Sequence, residues 1–437
     1  MSKSYRIRRL LIPTVGLQKA AAMLLLGLLA FFIGLGLAFK TKILPALQWA
    51  SDATRDGVAQ FVEPKDVAVT MHYLSLAFLV LGTYLSFRGI RAALNHVLET
   101  LNPGLTTGKV DIYLKRLQLA QGPRIVALGG GTGLSTLLRG LKGHTSNITA
   151  IVTVTDDGGS SGRLILDKGM IPPGDIRNCL VALADAEKQM TDLFQHRFKD
   201  DSGTLSGHAI GNLLIAALVD QAKGDFEKAI QIASDVLAIR GRVVPATLEH
   251  VRLRAELEDG TEVCGETAIV ASKRRIKKIH LDPIECKAHK DAVEAIRAAD
   301  LICIGPGSVY TSIIPNLLVP GIAEALRDSQ AKKVYICNVM TEPGESDSFS
   351  ASEHATTILN NVEARVFDYC LVNTGVPSDA ALAKYREVGQ VLVDADLDRI
   401  RAMGFRVLQG NFMSESDFVR HDPMKVAERL VSLLGRR

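Results

Sequence analysis

RIVALGGGTGLSTLLRGLK, residues 124–142, is the stretch of the chain that decides the fold. Its apolar start predicts a strand at Ile125–Leu128, and leucines at helical spacing predict a helix at Leu134–Lys142. A strand, a glycine turn and a helix in this order direct backbone N–H groups and a helix N-terminus at a site where a phosphate can bind. The dinucleotide fingerprint is only partly met, so a tight strand–helix turn is the alternative. The turn consists of Gly129, Gly130, Gly131, Thr132 and Gly133.

A second predicted strand, Ile148–Thr155, ends in a denser set of polar groups. Asp156 and Asp157 are candidates for holding Mg²⁺ or for acting as a general base, whereas an Asx turn is the structural alternative. Adjacent strand residues face opposite ways, so a shared ion requires a turn, which the following glycines permit. The candidate residues after this strand are Asp156, Asp157, Gly158, Gly159, Ser160, Ser161 and Arg163.

Further candidates stand at helix starts and strand ends along the chain. Asp175 is placed to cap a helix that begins at Ile176, and it could also contact a ligand. Tyr310 could stack on a base or a sugar. The carboxyl ends of parallel strands meet at one edge of a sheet, where a cleft forms, so these residues are expected to converge. They are Asp175, Asn178, His208, Asn212, Gly305, Pro306, Gly307, Ser308, Tyr310, Thr311 and Asn338.

From Arg124 onward, apolar strands alternate with helices, which predicts an α/β fold: a Rossmann-like, doubly wound, mostly parallel sheet. Further strands are predicted at Leu301–Ile304, Val334–Val339 and Val366–Val372. Residues 245–285 interrupt this alternation of strands and helices, because the pattern of Val251–Asp282 predicts short strands around an Asp259-Gly260 turn with little helix. We expect a small β-rich insertion there.

Two uncharged apolar runs, residues 20–39 and 67–87, are each long enough to cross a bilayer as a helix, although a buried core helix is the alternative. They predict a two-helix transmembrane hairpin over residues 1–88, a helical connector over 89–121 broken at Asn102-Pro103-Gly104, and a binding domain over 122–437. The distribution of basic residues favours two spans in the cell membrane, with the N-terminus and the main domain in the cytoplasm. The basic residues at the two ends of the hairpin include Lys3, Arg6, Arg8, Arg9, Arg88 and Arg91.

The formal net charge of +4 is unevenly distributed. Residues 1–121 contain 14 Lys and Arg and 6 Asp and Glu, a net charge of +8. The remaining residues contain 37 Lys and Arg and 41 Asp and Glu, a net charge of −4. A mildly acidic main domain argues against a nucleic-acid partner. Six scattered cysteines, without a CxxC pair, are typical of free thiols in a reducing compartment.

Six motifs together resemble the YvcK-type gluconeogenesis-factor family, part of the wider superfamily named for the 2-phospho-L-lactate transferase CofD. The resemblance covers Arg124 to the C-terminus and implies a Rossmann-like fold. It also implies that the candidate residues of these motifs bind a UDP-sugar, notably UDP-N-acetylglucosamine. The added hairpin departs from the shorter, soluble members. The motifs are GGGTGLSTLLRGLK (129–142), TDDGGSSGRL (155–164), PPGDIRNCLVALA (172–184), GHAIGNL (207–213), GPGSVYTSIIPNLL (305–318) and NVMTEPGESDSF (338–349).

The resemblance implies a membrane-tethered UDP-sugar-binding regulator of cell shape and cell-wall synthesis during gluconeogenic growth. The alternative is a Mg²⁺-dependent transferase that uses a nucleotide-activated donor, in which Asp156 or Asp157 holds the ion and no Ser-His or Cys-His nucleophile takes part. A third hypothesis is a scaffold that recruits envelope-synthesis proteins. The expected partners are a UDP-sugar or another nucleotide, the membrane, envelope-synthesis proteins and a second copy of the chain.

Overall fold

The computed structural model describes residues 15–39, 45–101, 116–199, 205–414 and 419–435. The chain divides into two compact units, Met1–Leu117 and Gln118–Arg437. The predicted break at Asn102-Pro103-Gly104, in the connector, lies outside the described residues.

The N-terminal unit contains three described helices, α1 (Val15–Phe39), α2 (Pro45–Ala59) and α3 (Val67–Leu101). Two segments are long and apolar enough to cross a membrane, 18–38 in α1 and 67–96 in α3. Helix α3 continues without interruption to Leu101, across the predicted boundary between the hairpin and the helical connector at residue 88. Helix α2, in the loop between the two apolar segments, was not predicted.

Helices α1 and α3 pack through small residues. A Cβ on Gly27 would lie 2.4 Å from the backbone nitrogen of Ser86, and one on Gly82 would lie 2.4 Å from that of Phe31. Ser75 donates to the carbonyl of Gly34 at 2.9 Å. Close backbone approach at glycines, together with large apolar side chains on the outside, is the pattern of paired helices in lipid. The exposed apolar side chains include Leu25, Leu26, Leu29, Phe32, Leu76, Val80 and Phe87.

The second unit is built on a seven-stranded sheet with the order β10-β9-β8-β7-β1-β2-β3, and each neighbouring pair is parallel. The order reverses between β1 and β7, so the sheet is doubly wound, as predicted. Strands β1, β2 and β7 are buried along their whole length because helices cover both faces. The strands are β1 (Ile125–Gly129), β2 (Ile148–Val152), β3 (Arg242–Pro245), β7 (Leu301–Ile304), β8 (Lys332–Ile336), β9 (Tyr369–Asn373) and β10 (Arg406–Gly410).

Helices α4 to α9 and α11 to α17 surround this sheet. A π-helix, Val309–Ile313, directly precedes α12. The other helices are α4 (Gly131–Leu141), α5 (Gly159–Lys168), α6 (Gly174–Leu183), α7 (Glu187–Gln195), α8 (Ile210–Gln221), α9 (Phe226–Leu237), α11 (Lys290–Ala298), α12 (Ile314–Leu318), α13 (Ile322–Asp328), α14 (Ala351–Val362), α15 (Asp379–Glu387), α16 (Leu397–Ala402) and α17 (Pro423–Ser432).

The sequence prediction missed two edge strands and one helix at the site. Strands β3 and β10, at the two edges of the sheet, are short, and each has an exposed arginine as its first residue. The second strand was predicted to reach Thr155, but it ends at Val152. The polar segment that follows begins helix α5 at Gly159, two residues after Asp157.

The predicted β-rich insertion is present as a three-stranded antiparallel sheet with the order β5-β4-β6. Its strands are β4 (Arg252–Leu257), β5 (Glu262–Cys264) and β6 (Ile276–Asp282). Asp259 accepts from the backbone nitrogen of Thr261 at 2.9 Å, which closes the predicted turn. The expectation of little helix overlooked α10 (Glu266–Ser272), which lies next to the site.

Candidate functional site

A cleft of about 610 Å³ opens at the carboxyl edge of the sheet, beside the point where the strand order reverses. It is formed by the segments that follow β1, β2, β7 and β8, by the start of α10 in the insertion, and by residues near β12 (Arg420–His421). Its lining residues are Gly130, Gly131, Thr132, Gly133, Thr136, Asp156, Asp175, Asn178, Glu266, Pro306, Gly307, Ser308, Ser312, Asn338, Val339, Met340, Glu342, Tyr385, Gln390, Val419, Arg420 and His421.

The glycine turn after β1 is required by close packing. A Cβ on Gly133 would lie 2.3 Å from the carbonyl oxygen of Pro306, so α4 can approach the loop after β7 only without a side chain there. A Cβ on Gly130 would lie 2.5 Å from Oδ2 of Asp175. Because these two positions lack side chains, the amino end of α4 can lie at the floor of the cleft, where its free N–H groups favour an anion.

Asp156 and Asp157 point to different places. Asp156 lines the cleft, and its Oδ1 accepts from the backbone nitrogen of Gly158 at 2.9 Å, which is the Asx turn considered above. Oδ1 of Asp157 instead accepts from the backbone nitrogen and the hydroxyl of Thr267, at 2.9 and 2.7 Å. Asp157 thereby bonds the first turn of α10, so these two carboxylates do not converge on one ion.

The predicted N-cap role of Asp175 is wrong. Helix α6 begins at Gly174, its N-cap is Pro173, and no side chain caps it. Burial, and next the charge of Asp156, raise the pKa of Asp175 to about 6, against a hydrogen bond from the backbone of Gly131 that lowers it. Asp175 is therefore a buried carboxyl at the cleft floor rather than a capping residue.

Two further carboxyl groups, those of Glu266 and Glu342, line the cleft. The sequence analysis did not predict Glu266 as a site residue. Burial, with smaller contributions from Asp156, Asp175 and neighbouring carboxylates, raises the pKa of Glu266 to about 9. Burial also raises the pKa of Glu342. At neutral pH, Glu266 is thus mostly protonated and offers an O–H donor to a ligand.

A buried polar chain runs behind the cleft. Ser160 shares a hydrogen bond of 3.0 Å with Nδ1 of His208 and accepts from Nδ2 of Asn212 at 3.0 Å. Ser160 and His208 thus form a Ser-His pair, but Ser160 is 4% exposed and does not line the cleft, so it is not placed as a nucleophile there. Burial, and next the charge of Arg163, lower the pKa of His208, so its ring is neutral at pH 7.

The loop after β7 is held by Asn338, whose Oδ1 accepts from the nitrogen of Gly307 and whose Nδ2 donates to its carbonyl. Both ends of this amide are thus engaged with the loop. Tyr310 is 4% exposed and donates to the carbonyl of Ile276 at 3.0 Å, a geometry that leaves no ring face for a base. Thr311 donates to Oε1 of Glu345 at 3.0 Å.

The structure brings about half of the predicted residues to the cleft and places the others behind it. The predicted residues that line it are Gly130, Gly131, Thr132, Gly133, Asp156, Asp175, Asn178, Pro306, Gly307, Ser308 and Asn338. Those that support it are Gly129, Asp157, Gly158, Gly159, Ser160, Ser161, Arg163, His208, Asn212, Gly305, Tyr310 and Thr311. Distant residues that sequence reasoning missed include Glu266, Tyr385, Gln390, Val419, Arg420 and His421, because no local motif marks them.

Among the described residues, no group of three or more His, Cys, Asp or Glu side chains is arranged to hold a metal ion. Asp156 and Asp175 both line the cleft, and they are close enough for the charge of Asp156 to raise the pKa of Asp175. Mg²⁺ is often held by one or two carboxylates together with ligand phosphates, and this pair fits that pattern.

A doubly wound α/β sheet with a glycine-lined cleft at its switch point defines a Rossmann-like protein with a small-molecule site. The comparison with known families agrees, since residues 125–413 match the family "2-phospho-L-lactate transferase CofD". The chain belongs to the CofD-like family.

Its relatives share the name gluconeogenesis factor. The chain is 48% identical over 317 residues to the gluconeogenesis factor of Bacillus subtilis, covering 72% of this chain and 99% of that protein. A relative of the same name from Nostoc sp. is 44% identical over 405 residues, covering 92% of this chain and 87% of that protein. A crystal structure of a UPF0052 family member from Bacillus halodurans superposes with a TM-score of 0.69 at 47% identity, covering 71% of this chain and 99% of that one.

Proposed function

We propose that this chain is a membrane-tethered regulator that binds a UDP-sugar, with UDP-N-acetylglucosamine as the first candidate, and that it couples nucleotide-sugar supply to cell shape and cell-wall synthesis during gluconeogenic growth. The observation that supports this most is the cleft at the switch point, where a glycine turn and the starts of α4 and α6 line a volume suited to a small ligand.

The diphosphate would occupy the floor of the cleft. Backbone N–H groups near Gly131 and the amino end of α4 would donate to its oxygens, and the partial positive charge of the helix end would favour its negative charge. Arg420 brings a guanidinium to the same cleft, which suits it to bidentate phosphate contacts. Arg163, the arginine among the candidate residues predicted after the second strand, does not line the cleft.

The negative charge of the cleft carboxylates must be neutralised or offset before a diphosphate can bind. Protonated Glu266 removes one negative charge, because burial keeps its pKa at about 9. Asp156 and Asp175 would hold Mg²⁺ between themselves and the phosphates, and the ion would supply the remaining positive charge. We therefore expect binding to be stronger with Mg²⁺ than without it.

The base and the sugar would occupy the outer cleft. Tyr385 lines the cleft, and its hydroxyl accepts from the backbone nitrogen of Val419 at 2.7 Å, which fixes the ring against the neighbouring strand. An aromatic ring held in this way can stack on a uracil or a sugar face. This assigns to Tyr385 the contact that was expected of Tyr310.

The membrane tether rests on the two apolar helices of the N-terminal unit. The charge pattern around them favours a cytoplasmic main domain, and the six free cysteines suit a reducing compartment. In that location the domain would meet UDP-sugars and envelope-synthesis proteins at the membrane. Reporter fusions at residue 60 and at the C-terminus test this orientation, because opposite compartments are expected for the two sites.

The decisive experiment is calorimetric titration of the detergent-solubilised full chain with UDP-N-acetylglucosamine, with and without Mg²⁺, using GDP and NAD as competitors. Selective binding of the UDP-sugar without turnover is the expected result. The proposal would be overturned if no UDP-sugar binding were measured and guanine nucleotides bound only in the presence of Mg²⁺. Gly133→Ala, which obstructs the cleft floor, and Gly57→Ala, where the added Cβ meets nothing within 4 Å, form the matched pair of variants.

The family match to a transferase supports a second candidate function, Mg²⁺-dependent group transfer from a nucleotide-activated donor. In this case Asp156 and Asp175 would hold the ion, and the O–H of Glu266 would be placed to protonate a leaving oxygen. Metal-dependent turnover on a panel of acceptors, lost in Asp156→Asn while ligand binding persists, would favour the transferase. Absence of turnover on the whole panel would exclude it for those acceptors.

A further inference from the structure

The side-chain amide of Asn178, at the edge of the cleft, has a fixed orientation. Its Oδ1 accepts from Nη2 of Arg177 at 3.0 Å and from Nε2 of Gln195 at 2.9 Å. A guanidinium has only donors, so the atom that faces Arg177 must be the amide oxygen. Asn178 lines the cleft, and the atom left for it to offer there is Nδ2, a donor.

Arg177 is a buried cation that sets the direction of a longer chain of hydrogen bonds. It is 4% exposed, and its Nη1 donates to Oδ1 of Asn212 at 2.8 Å. Nδ2 of Asn212 then donates to Ser160, whose own proton is free to reach Nδ1 of His208. The same guanidinium thus orients two asparagines, one facing inward along this chain and one facing the cleft.

The charge of Arg177 is incompletely balanced. Its two Nη groups contact neutral amides, and its buried Nε has no hydrogen-bond partner. Burial, and next the charge of Arg197, lower its pKa, whereas Asp175 and Asp156 raise it. A buried guanidinium held by neutral partners keeps a positive field behind the cleft, and that field favours an anion in front of it.

We propose that Asn178 is a ligand-binding residue that donates through Nδ2 to an acceptor oxygen of the nucleotide ligand, and that Arg177 is the residue that positions it. This inference rests on the proposed function for the identity of the ligand, and it deepens that function by naming a side-chain donor that discriminates acceptor groups. Asn178 then adds a side-chain donor to the backbone N–H groups at the amino end of α4.

The test is Asn178→Asp in the full chain, titrated with UDP-N-acetylglucosamine and Mg²⁺. The aspartate has the same shape and still accepts from Arg177 and Gln195, but it offers the cleft an acceptor with negative charge. The affinity is expected to fall by about tenfold to a hundredfold, the range for a lost hydrogen bond to a charged group. The thermal midpoint is expected to stay within about 4 °C of the wild type, since both hydrogen bonds to the side-chain oxygen persist.

Two further variants separate the positioning role from general damage. Gln195→Met removes one of the two donors that hold Oδ1, and a loss of affinity of about twofold to fivefold is expected because the amide is then held by Arg177 alone and is less rigidly placed. Asn360→Asp makes the same chemical change at an exposed asparagine that does not line the cleft, and it should leave affinity unchanged.

The outcomes distinguish this inference from the function on which it rests. If the wild type binds the UDP-sugar and Asn178→Asp binds it equally well, the donor role of Asn178 is wrong and the proposed function stands. If Asn178→Asp loses affinity only together with its thermal midpoint, the residue is structural and the inference fails. If the wild type binds none of UDP-N-acetylglucosamine, GDP, NAD or pyrophosphate, both proposals are overturned.

Discussion

Replacement of Asp157 by alanine should loosen the insertion rather than remove a metal ligand. Helix α10 begins after Gly265, which has a φ of +97° and no side chain to cap it. Asp157, 110 positions earlier in the sequence, accepts from the nitrogen and the hydroxyl of Thr267 and so performs the capping role from another segment. The first residue of the same helix, Glu266, lines the cleft.

The expected cost follows from the bonds that are lost. An N-cap is typically worth about 1 kcal/mol, and the second bond, from the threonine hydroxyl, adds about as much. Asp157→Ala should therefore destabilise the docked helix by about 1–2 kcal/mol, which increases its open population by about 5–30-fold. Asp157→Asn keeps an acceptor oxygen and should show a smaller effect.

Hydrogen exchange of the full chain measures this directly. Amides of Thr267–Ser272 should exchange about 5–30-fold faster in Asp157→Ala, while those of the β1 strand remain unchanged. Asp225→Ala is the matched control, because Asp225 caps α9, outside the insertion, by accepting from the backbone nitrogen of Lys228. Unchanged exchange at α10, combined with complete loss of Mg²⁺-dependent ligand binding, would refute the capping argument and restore a metal role for Asp157.

Three other perturbations test separate parts of the structure. Gly133→Ala should weaken ligand binding at least tenfold, because its Cβ would lie 2.3 Å from the carbonyl oxygen of Pro306, and calorimetry against Gly57→Ala measures the loss. Glu266 has a folded-state pKa of about 9, so it binds more protons folded than unfolded between about pH 4 and 9, and its contribution to stability falls as pH rises through that window. Glu266→Gln should therefore raise the thermal midpoint at pH 8 more than at pH 5, and equal shifts at both would contradict the buried, protonated state. Gly82→Val should destabilise the pairing of α1 with α3, where the Cβ would lie 2.4 Å from the backbone of Phe31. Neither helix has a native cysteine, so in-gel disulfide trapping between one cysteine introduced into each helix should report the separation.

The part of the fold that was predictable is the part governed by local pattern. Strands β1 and β7 are continuous apolar runs that lead directly into glycines, and β2 is an apolar run with a single threonine, Thr149; such runs indicate buried parallel strands. Asp422-Pro423 is likewise a local pattern, an N-cap aspartate followed by proline, and Oδ1 of Asp422 accepts from the backbone nitrogens of Met424 and Lys425 at the start of α17. Strands β3 and β10 escaped prediction because an edge strand has weaker apolar character.

Individual roles within the site were less predictable than its location. Asp156 and Asp157 are neighbours with the same side chain, yet one lines the cleft and the other caps a helix of the insertion. Tyr310 was expected to stack on a base or a sugar but is buried away from the cleft, whereas Tyr385, for which nothing was predicted, lines it, since the direction of a side chain depends on what packs around it. Sequence spacing carries no information about those contacts.

The sequence by itself determined that this chain has an apolar N-terminal hairpin, a doubly wound α/β unit and a glycine-lined site at its strand ends, because hydrophobic periodicity and glycine placement are local properties. Only the tertiary structure decided which residues complete the site. Glu266, Tyr385 and Arg420 reach the cleft from three distant segments, and the direction of Asn178 depends on a buried arginine and a glutamine from the next helix. Such contacts arise from packing between segments far apart in the chain, which no local pattern encodes.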